Sequence, residues 1–126
     1  MRRLWDERDP SVIDELFAPQ GSAAGLEGRP VVGPQEFHAF YAMIAAAIVN
    51  TSVVIEHIMT KGDEALLVAT FRGTHKKTTK EVTMRFAAHA VVREGKIVDA
   101  TNILDVLSLL QQIGEAAPDA LPRALA

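Results

Sequence analysis

The sequence predicts an α+β domain: an antiparallel sheet with helices packed on one face. Three observations lead there. Apolar residues recur at helical spacing only before residue 50, and from Thr51 onward they alternate with polar ones. The alternating half is cut by short turns, Lys61-Gly62-Asp63-Glu64 and Glu94-Gly95, of the kind that joins neighbouring antiparallel strands. Helices first and strands afterwards is the order of an α+β chain rather than of βαβ units. With 126 residues, no internal repeat and no break in composition, residues 1–126 read as one domain, its core spanning about 9–114.

The elements follow in order. Asp9-Pro10-Ser11-Val12-Ile13-Asp14-Glu15-Leu16-Phe17 starts a helix near Pro10, because proline suits a first turn and Val12, Ile13, Leu16 and Phe17 form one stripe. Ala18 to Ser22 ends it, and Gly25, Gly28, Pro30 and Gly33 mark loops around at most one short strand. Pro34 opens a second helix, whose apolar face is Phe37, Phe40, Tyr41, Ile44 and Ile48 and whose terminator is Asn50. Strands are expected over 52–60, 65–74, 81–93 and 96–104, with a hairpin at Lys76-Lys77-Thr78-Thr79-Lys80, so the four run as a meander. A short apolar helix follows Asp105, from Val106 to Gly114. The alanine- and proline-rich tail, 115–126, is expected to be loosely ordered or to pack against a partner subunit.

Composition excludes several function classes. A net charge of −3 with no basic stripe is wrong for a binder of phosphate backbones, so no nucleic acid partner is expected. There is no cysteine, hence no disulfide framework and no thiolate nucleophile or ligand. Four histidines without paired spacing give no metal signature. No signal peptide is visible, and the longest apolar run, Met43 to Val49, is too short to span a membrane; a cytoplasmic chain without a membrane partner is expected.

Several phrases then coincide: Asp9-Pro10 with Ile13-Asp14-Glu15-Leu16-Phe17-Ala18-Pro19, Gly33-Pro34-Gln35-Glu36-Phe37, Lys61-Gly62-Asp63, Gly73-Thr74-His75, Arg93-Glu94-Gly95-Lys96-Ile97, and Asp105 with Leu109-Leu110-Gln111-Gln112-Ile113-Gly114. Their order and spacing resemble the SnoaL-like polyketide cyclases, or ester cyclases, of the nuclear transport factor two-like superfamily. The resemblance implies a cone-shaped, cystatin-like α+β roll in which a curved sheet and helices enclose a mostly apolar pocket. It also implies cofactor-independent aldol chemistry, with an aspartate as acid and base; the matching residue is Asp105. The chain departs from the pattern in a short segment after His75, in Thr101 where the family carries an aromatic residue, and in beginning inside the family's first helix. Ketosteroid isomerases, epoxide hydrolases and non-catalytic binders share the superfamily, so the fold alone assigns no reaction.

Two readings of Asp105 stay open. Strict alternation in the last strand puts Ile97, Asp99, Thr101, Ile103 and Asp105 on one face, which would suit a pocket wall with a few polar groups. A carboxylate there loses hydration and becomes a usable base. Alternatively Asp105 caps the helix that begins at Val106. His89, on the neighbouring strand, is the candidate to orient a substrate carbonyl or stabilise an enolate, against the plainer reading of a histidine on a half-exposed sheet face. Phe37, Phe40 and Tyr41 would supply the other walls.

The function expected is a small-molecule enzyme acting on a hydrophobic carbonyl compound by aldol cyclisation or isomerisation. Asp105 and His89 would be catalytic, Asp99 and Thr101 would bind polar atoms, and no metal or cofactor would be needed. The alternative is a non-catalytic ligand-binding or dimerisation domain. Epoxide hydration would need Asp99, Asn102 and Asp105 together, yet alternation sends Asn102 to the other face. Because helices cover one side of a meander, a homodimer through the other side is expected.

Overall fold

The computed structural model describes residues 1–126. The chain runs α1 (Arg2–Trp5), α2 (Ser11–Leu16), β1 (Phe17–Ala24), β2 (Val31–Val32), α3 (Gly33–Ala47), β3 (Ile48–Lys61), β4 (Glu64–His75), β5 (Glu81–Arg93), β6 (Lys96–Leu104), α4 (Val106–Gln112) and α5 (Ala120–Leu125). One six-stranded sheet has the order β2-β1-β6-β5-β4-β3. The β3–β6 meander is antiparallel, as its turns require, and β1 joins β6 in parallel.

Register assigns the two faces. Ala69 opposes Phe86, which opposes Leu104; Leu67 opposes Ala88, which opposes Asn102. Opposed residues share a face, and Ala69, Phe86, Phe71 and Val82 are buried, so this is the helix-covered side. The apolar β5 row Val82, Met84, Phe86, Ala88 and Ala90 therefore faces the core. The outer side carries Arg85, Ala87, His89 and Val91 of β5 opposite Thr70, Val68, Leu66 and Glu64 of β4.

Helix cover is built from specific contacts. Trp5 packs on Tyr41 and edge-on to Phe71, both with ring centroids 5.0 Å away. The Tyr41 hydroxyl donates to Leu4 O at 3.1 Å, the Thr51 hydroxyl donates to Trp5 O, and the Asp6 carboxylate accepts Val53 N–H at 2.8 Å. These bonds tie α1 to α3 and to the start of β3. Ile13 of α2 is fully buried, so truncation to alanine would cost about 2–5 kcal/mol. At α3 the first turn holds Pro34, and Glu36 accepts Val32 N–H at 3.1 Å, satisfying a donor just before the helix.

Two expectations change. The segment after Phe17, expected to be a helix end and loop, is strand β1. Pro19 and Gly21 argue against a strand, but they fall in the unpaired stretch between the Phe17–Ile97 and Ser22–Asp99 pairs, where a missing N–H and a missing side chain are tolerated. Asn50, expected to end the second helix, instead lies inside β3 at φ 54°, in a register shift between Val49 and Ser52; α3 has already ended at Ala47. Beyond residue 115 the chain forms α5, with Gln111 donating to Ala117 O and Pro118 O.

Candidate functional site

Strict alternation along β6 does not survive. Val91 opposes Asp99 but Val92 opposes Ile97, so one residue of β6 bulges and Ile97 moves to the helix side, where it packs against the core. Asp99, Thr101 and Ile103 remain on the outer side, and all three are exposed. The predicted wall of five residues on one face is thus split by a bulge that alternation cannot foresee.

The other candidates separate in the same way. Phe40 and Tyr41 are buried, and Phe37 stacks on Phe17 at 4.5 Å and on Phe40 at 6.0 Å, all on the helix side. His89 opposes Thr101 on the outer side and pairs with Glu64 at 2.8 Å. The sheet therefore stands between the aromatic group and the group formed by His89, Asp99, Thr101 and Ile103. A single pocket cannot be lined by both sets.

Asp105 sits at the rim. Its backbone N–H still reaches Arg85 O at 3.3 Å, the last rung of the β5–β6 ladder, and the chain then turns into α4. One carboxylate oxygen accepts Ser108 N–H at 3.2 Å, so Asp105 is the N-cap of α4. The other oxygen has no side-chain or backbone partner. The side chain is exposed, so the burial that would desolvate a base is not supplied by this chain alone.

The residue that alternation set aside, Asn102, is the polar group on the helix-covered side. Its amide nitrogen donates to Ala24 O at 3.1 Å, which fixes the side chain and leaves the amide oxygen free. Gly25 makes that approach possible: its φ is 83°, and a Cβ there would collide with the Asn102 carbonyl. Around Asn102 the floor is Ala88, Ala90 and Leu67, half-buried, and on the same face of β3 the side chains of Ile55 and Ile58 are 43% and 60% exposed. The far end of the helix-covered face thus stays partly exposed, an apolar surface with one anchored amide.

Two surface depressions lie elsewhere. One of about 270 Å³ runs along α3 and is lined by Phe40, Met43, Ala39, Val31 and the Arg29–Glu36 ion pair. Another of about 460 Å³ surrounds the β3–β4 turn and is mostly charged, with Lys61, Asp63, Glu64 and Arg93. No three His, Asp or Glu side chains converge as a metal-binding group. No helix is long and apolar enough to cross a membrane.

A further polar element was missed from the sequence. Gln112 of α4 accepts Thr83 N–H at 2.9 Å and donates to Thr83 O at 2.7 Å, taking over the β5 edge where β6 has ended. The signal was in the phrase Gln112-Ile113-Gly114, which counted toward the resemblance without a physical role.

Comparison with known proteins agrees with this architecture. No curated protein matches the chain. A candidate SnoaL-like polyketide cyclase from a Jannaschia species superposes with a TM-score of 0.78 at 20% identity, over 92% of this chain and 89% of that one. A hypothetical protein of ketosteroid isomerase-like fold from Catenulispora acidiphila, in complex with trimethylamine, gives 0.81 at 23% identity, over 91% and 89%. A candidate polyketide cyclase from Bacillus cereus gives 0.80 at 25% identity, over 90% and 75%. The chain has the ketosteroid isomerase-like, nuclear transport factor two-like fold that these structures share. The profile of the SnoaL-like domain matches residues 1–100 and stops five residues before Asp105. The chain belongs to the SnoaL-like domain family.

Proposed function

We propose that this chain acts on a hydrophobic carbonyl compound as a cyclase- or isomerase-type enzyme without a cofactor. The ligand lies in the open end of the concave face, over Ala88, Ala90 and Leu67, with the free amide oxygen of Asn102 accepting from a ligand hydroxyl or enol. Asp105, three residues further along the chain and just past the end of β6, removes the proton α to the carbonyl with its unpartnered oxygen and returns it in the second half of the reaction. The observation that supports this reading is the half-engaged carboxylate of Asp105, fixed by Ser108 N–H on one oxygen only. His89 has a different part here: it lies across the sheet from the cleft, paired to Glu64, and contributes to the outer surface.

The second reading is a domain of the same fold that binds without catalysing. It is favoured by the exposure of Asp105 and by its capping bond, which together give the residue a complete structural role.

Asp105→Asn separates the two, because asparagine caps a helix as well as aspartate does but cannot accept the proton. Exchange of the C2 proton of an aryl 1,3-diketone for deuterium, followed by NMR, should be catalysed by the wild type. In Asp105→Asn it should fall by about 10²–10⁴-fold with an unchanged melting temperature. Equal exchange in the two proteins removes Asp105 as a base. Asp105→Ala, by contrast, should lower stability by about 0.5–2 kcal/mol under either reading, since it removes the cap.

A further inference from the structure

Arg85 has a carboxylate on either side of it and pairs with the farther one. On one side Asp105 stands opposite it at the last rung of the β5–β6 ladder, where the Asp105 N–H reaches Arg85 O. Side chains opposed across a ladder start about 5 Å apart, well within the reach of an arginine. On the other side Glu56 lies two strands away, beyond Thr70 of β4. The guanidinium nevertheless pairs with Glu56 at 3.1 Å and forms no ion pair with Asp105.

The setting of Glu56 accounts for that preference. Ile55 opposes Ala69 and His57 opposes Val68, so Glu56 is the extra residue of a bulge in β3, a feature that re-aims a side chain. Both of its oxygens are engaged, one by the Thr70 hydroxyl and the other by Arg85. The Thr70 bond chiefly, and the charge of Arg85 after it, hold Glu56 below its ordinary value of 4.5, so it keeps its charge at neutral pH. Asp105 is held more loosely, by Ser108 N–H on one oxygen.

We propose that Glu56 is a positioning residue for Asp105: by drawing the Arg85 guanidinium to itself, it keeps the rim carboxylate without a cation partner and so free to take a proton. This rests on the reading of Asp105 as the base. A guanidinium beside a carboxylate favours its ionised form and makes it a weaker base. The other charged or titratable side chains at this end of the outer face are Arg72, Glu81 and His57, and α4 carries none. Arg72 stands over Thr83, two strands from Asp105, so Arg85 is the cation that Glu56 has to hold.

Two readouts test the proposal, the first of them blind to catalysis. The Arg85 Nε signal is followed by NMR in the wild type and in Glu56→Gln, each with and without Asp105→Asn. In the wild type it should not respond to Asp105→Asn; in Glu56→Gln it should, because the guanidinium has moved to Asp105. A signal that ignores Asp105→Asn in the Glu56→Gln background overturns the proposal. The second readout is deuterium exchange at C2 of the aryl 1,3-diketone. It should slow about two- to fivefold in Glu56→Gln, the strength of an exposed ion pair, and recover in Glu56→Gln/Arg85→Gln. Glu56→Gln/Arg72→Gln should stay slow. A loss that Arg85→Gln does not restore, or that Arg72→Gln does, overturns the proposal by routing the effect of Glu56 through another group. Equal exchange in the wild type and Asp105→Asn removes the base reading alone, and the Arg85 signal then decides whether Glu56 holds the cation. Should Glu56→Gln lose its circular dichroism, Glu56→Thr, a residue suited to a strand, makes the same tests.

Discussion

Replacing Gln112 should loosen the end of the sheet in a way that can be read residue by residue. β6 ends at Leu104, while β5 has begun at Glu81, so the early part of β5 has no strand beside it on that side. The Gln112 amide fills the gap with two bonds to Thr83, at 2.9 and 2.7 Å, and is itself held over Ser108 O at 3.2 Å. Each backbone bond is worth about 0.5–1.5 kcal/mol net, which gives about 1–3 kcal/mol for the pair. Thr83 is exposed, so water recovers part of this when the amide is removed, and Gln112→Ala should cost about 1–2 kcal/mol. For a chain of this length the melting midpoint should drop by about 3–10 °C. Gln112→Glu is the sharper variant. One oxygen can still accept Thr83 N–H, but the other is set against Thr83 C=O, so at neutral pH it should do no better than alanine. Protonation restores a donor, and the gap to the wild type should narrow below about pH 4. Urea unfolding gives the free energies, and amide exchange at Thr83 gives the local opening. Gln112→Ala within about 0.3 kcal/mol of wild type, with unchanged Thr83 exchange, would refute the role assigned to this side chain.

Two further outcomes follow from the same geometry. Gly25→Ala should destabilise by about 1–3 kcal/mol, because an L side chain is strained at φ 83° and meets the Asn102 carbonyl, and the loss should show as faster amide exchange along β1. Glu56 is held below its ordinary value of 4.5, chiefly by the Thr70 hydroxyl that donates to it and further by the charge of Arg85. A carboxyl depressed in the folded state contributes stability above its unfolded value and loses it as pH falls through the folded one. The urea midpoint of Glu56→Gln should therefore lie below that of wild type near pH 7 and converge with it near pH 3.

The meander was legible because its signals are local. Alternation and the Glu94-Gly95 turn place β5 and β6 at 81–93 and 96–104, the bounds the structure gives. β1 was not legible, since Pro19 and Gly21 break the pattern and the pairing that rescues them is with β6, about eighty residues away. The site suffered from the same limit. Which face of β6 meets the helices depends on a single bulge near Val98, and one inserted residue moves Ile97 from Asp99's side to the opposite one. The cap role of Asp105 could be read from an aspartate before an apolar helix. The anchoring of Asn102 could not, since it depends on Gly25 bringing a distant carbonyl into reach.

The division of charge between the two faces makes the Asp105 experiment decisive. On the helix-covered side the paired residues are Ala65, Leu67, Ala69, Phe71 and Gly73 of β4, Val82 to Ala90 in alternation on β5, and Ala100, Asn102 and Leu104 on β6. None of them titrates. The strand carboxylates Glu56, Glu64, Glu81 and Asp99, together with His89, lie on the outer face or in its border. The strands themselves therefore offer a ligand on the helix-covered face no proton acceptor, and Asp105, just past the end of β6 where its N–H meets Arg85 O, is the carboxylate next along the chain from Asn102. If Asp105→Asn leaves carbon-acid exchange intact, no carboxylate of β4, β5 or β6 shares the face of Asn102 to take its place. The catalytic reading then gives way to a binding domain in which Asp105 serves only the helix, and the same sheet keeps its packing on one side and its charges on the other.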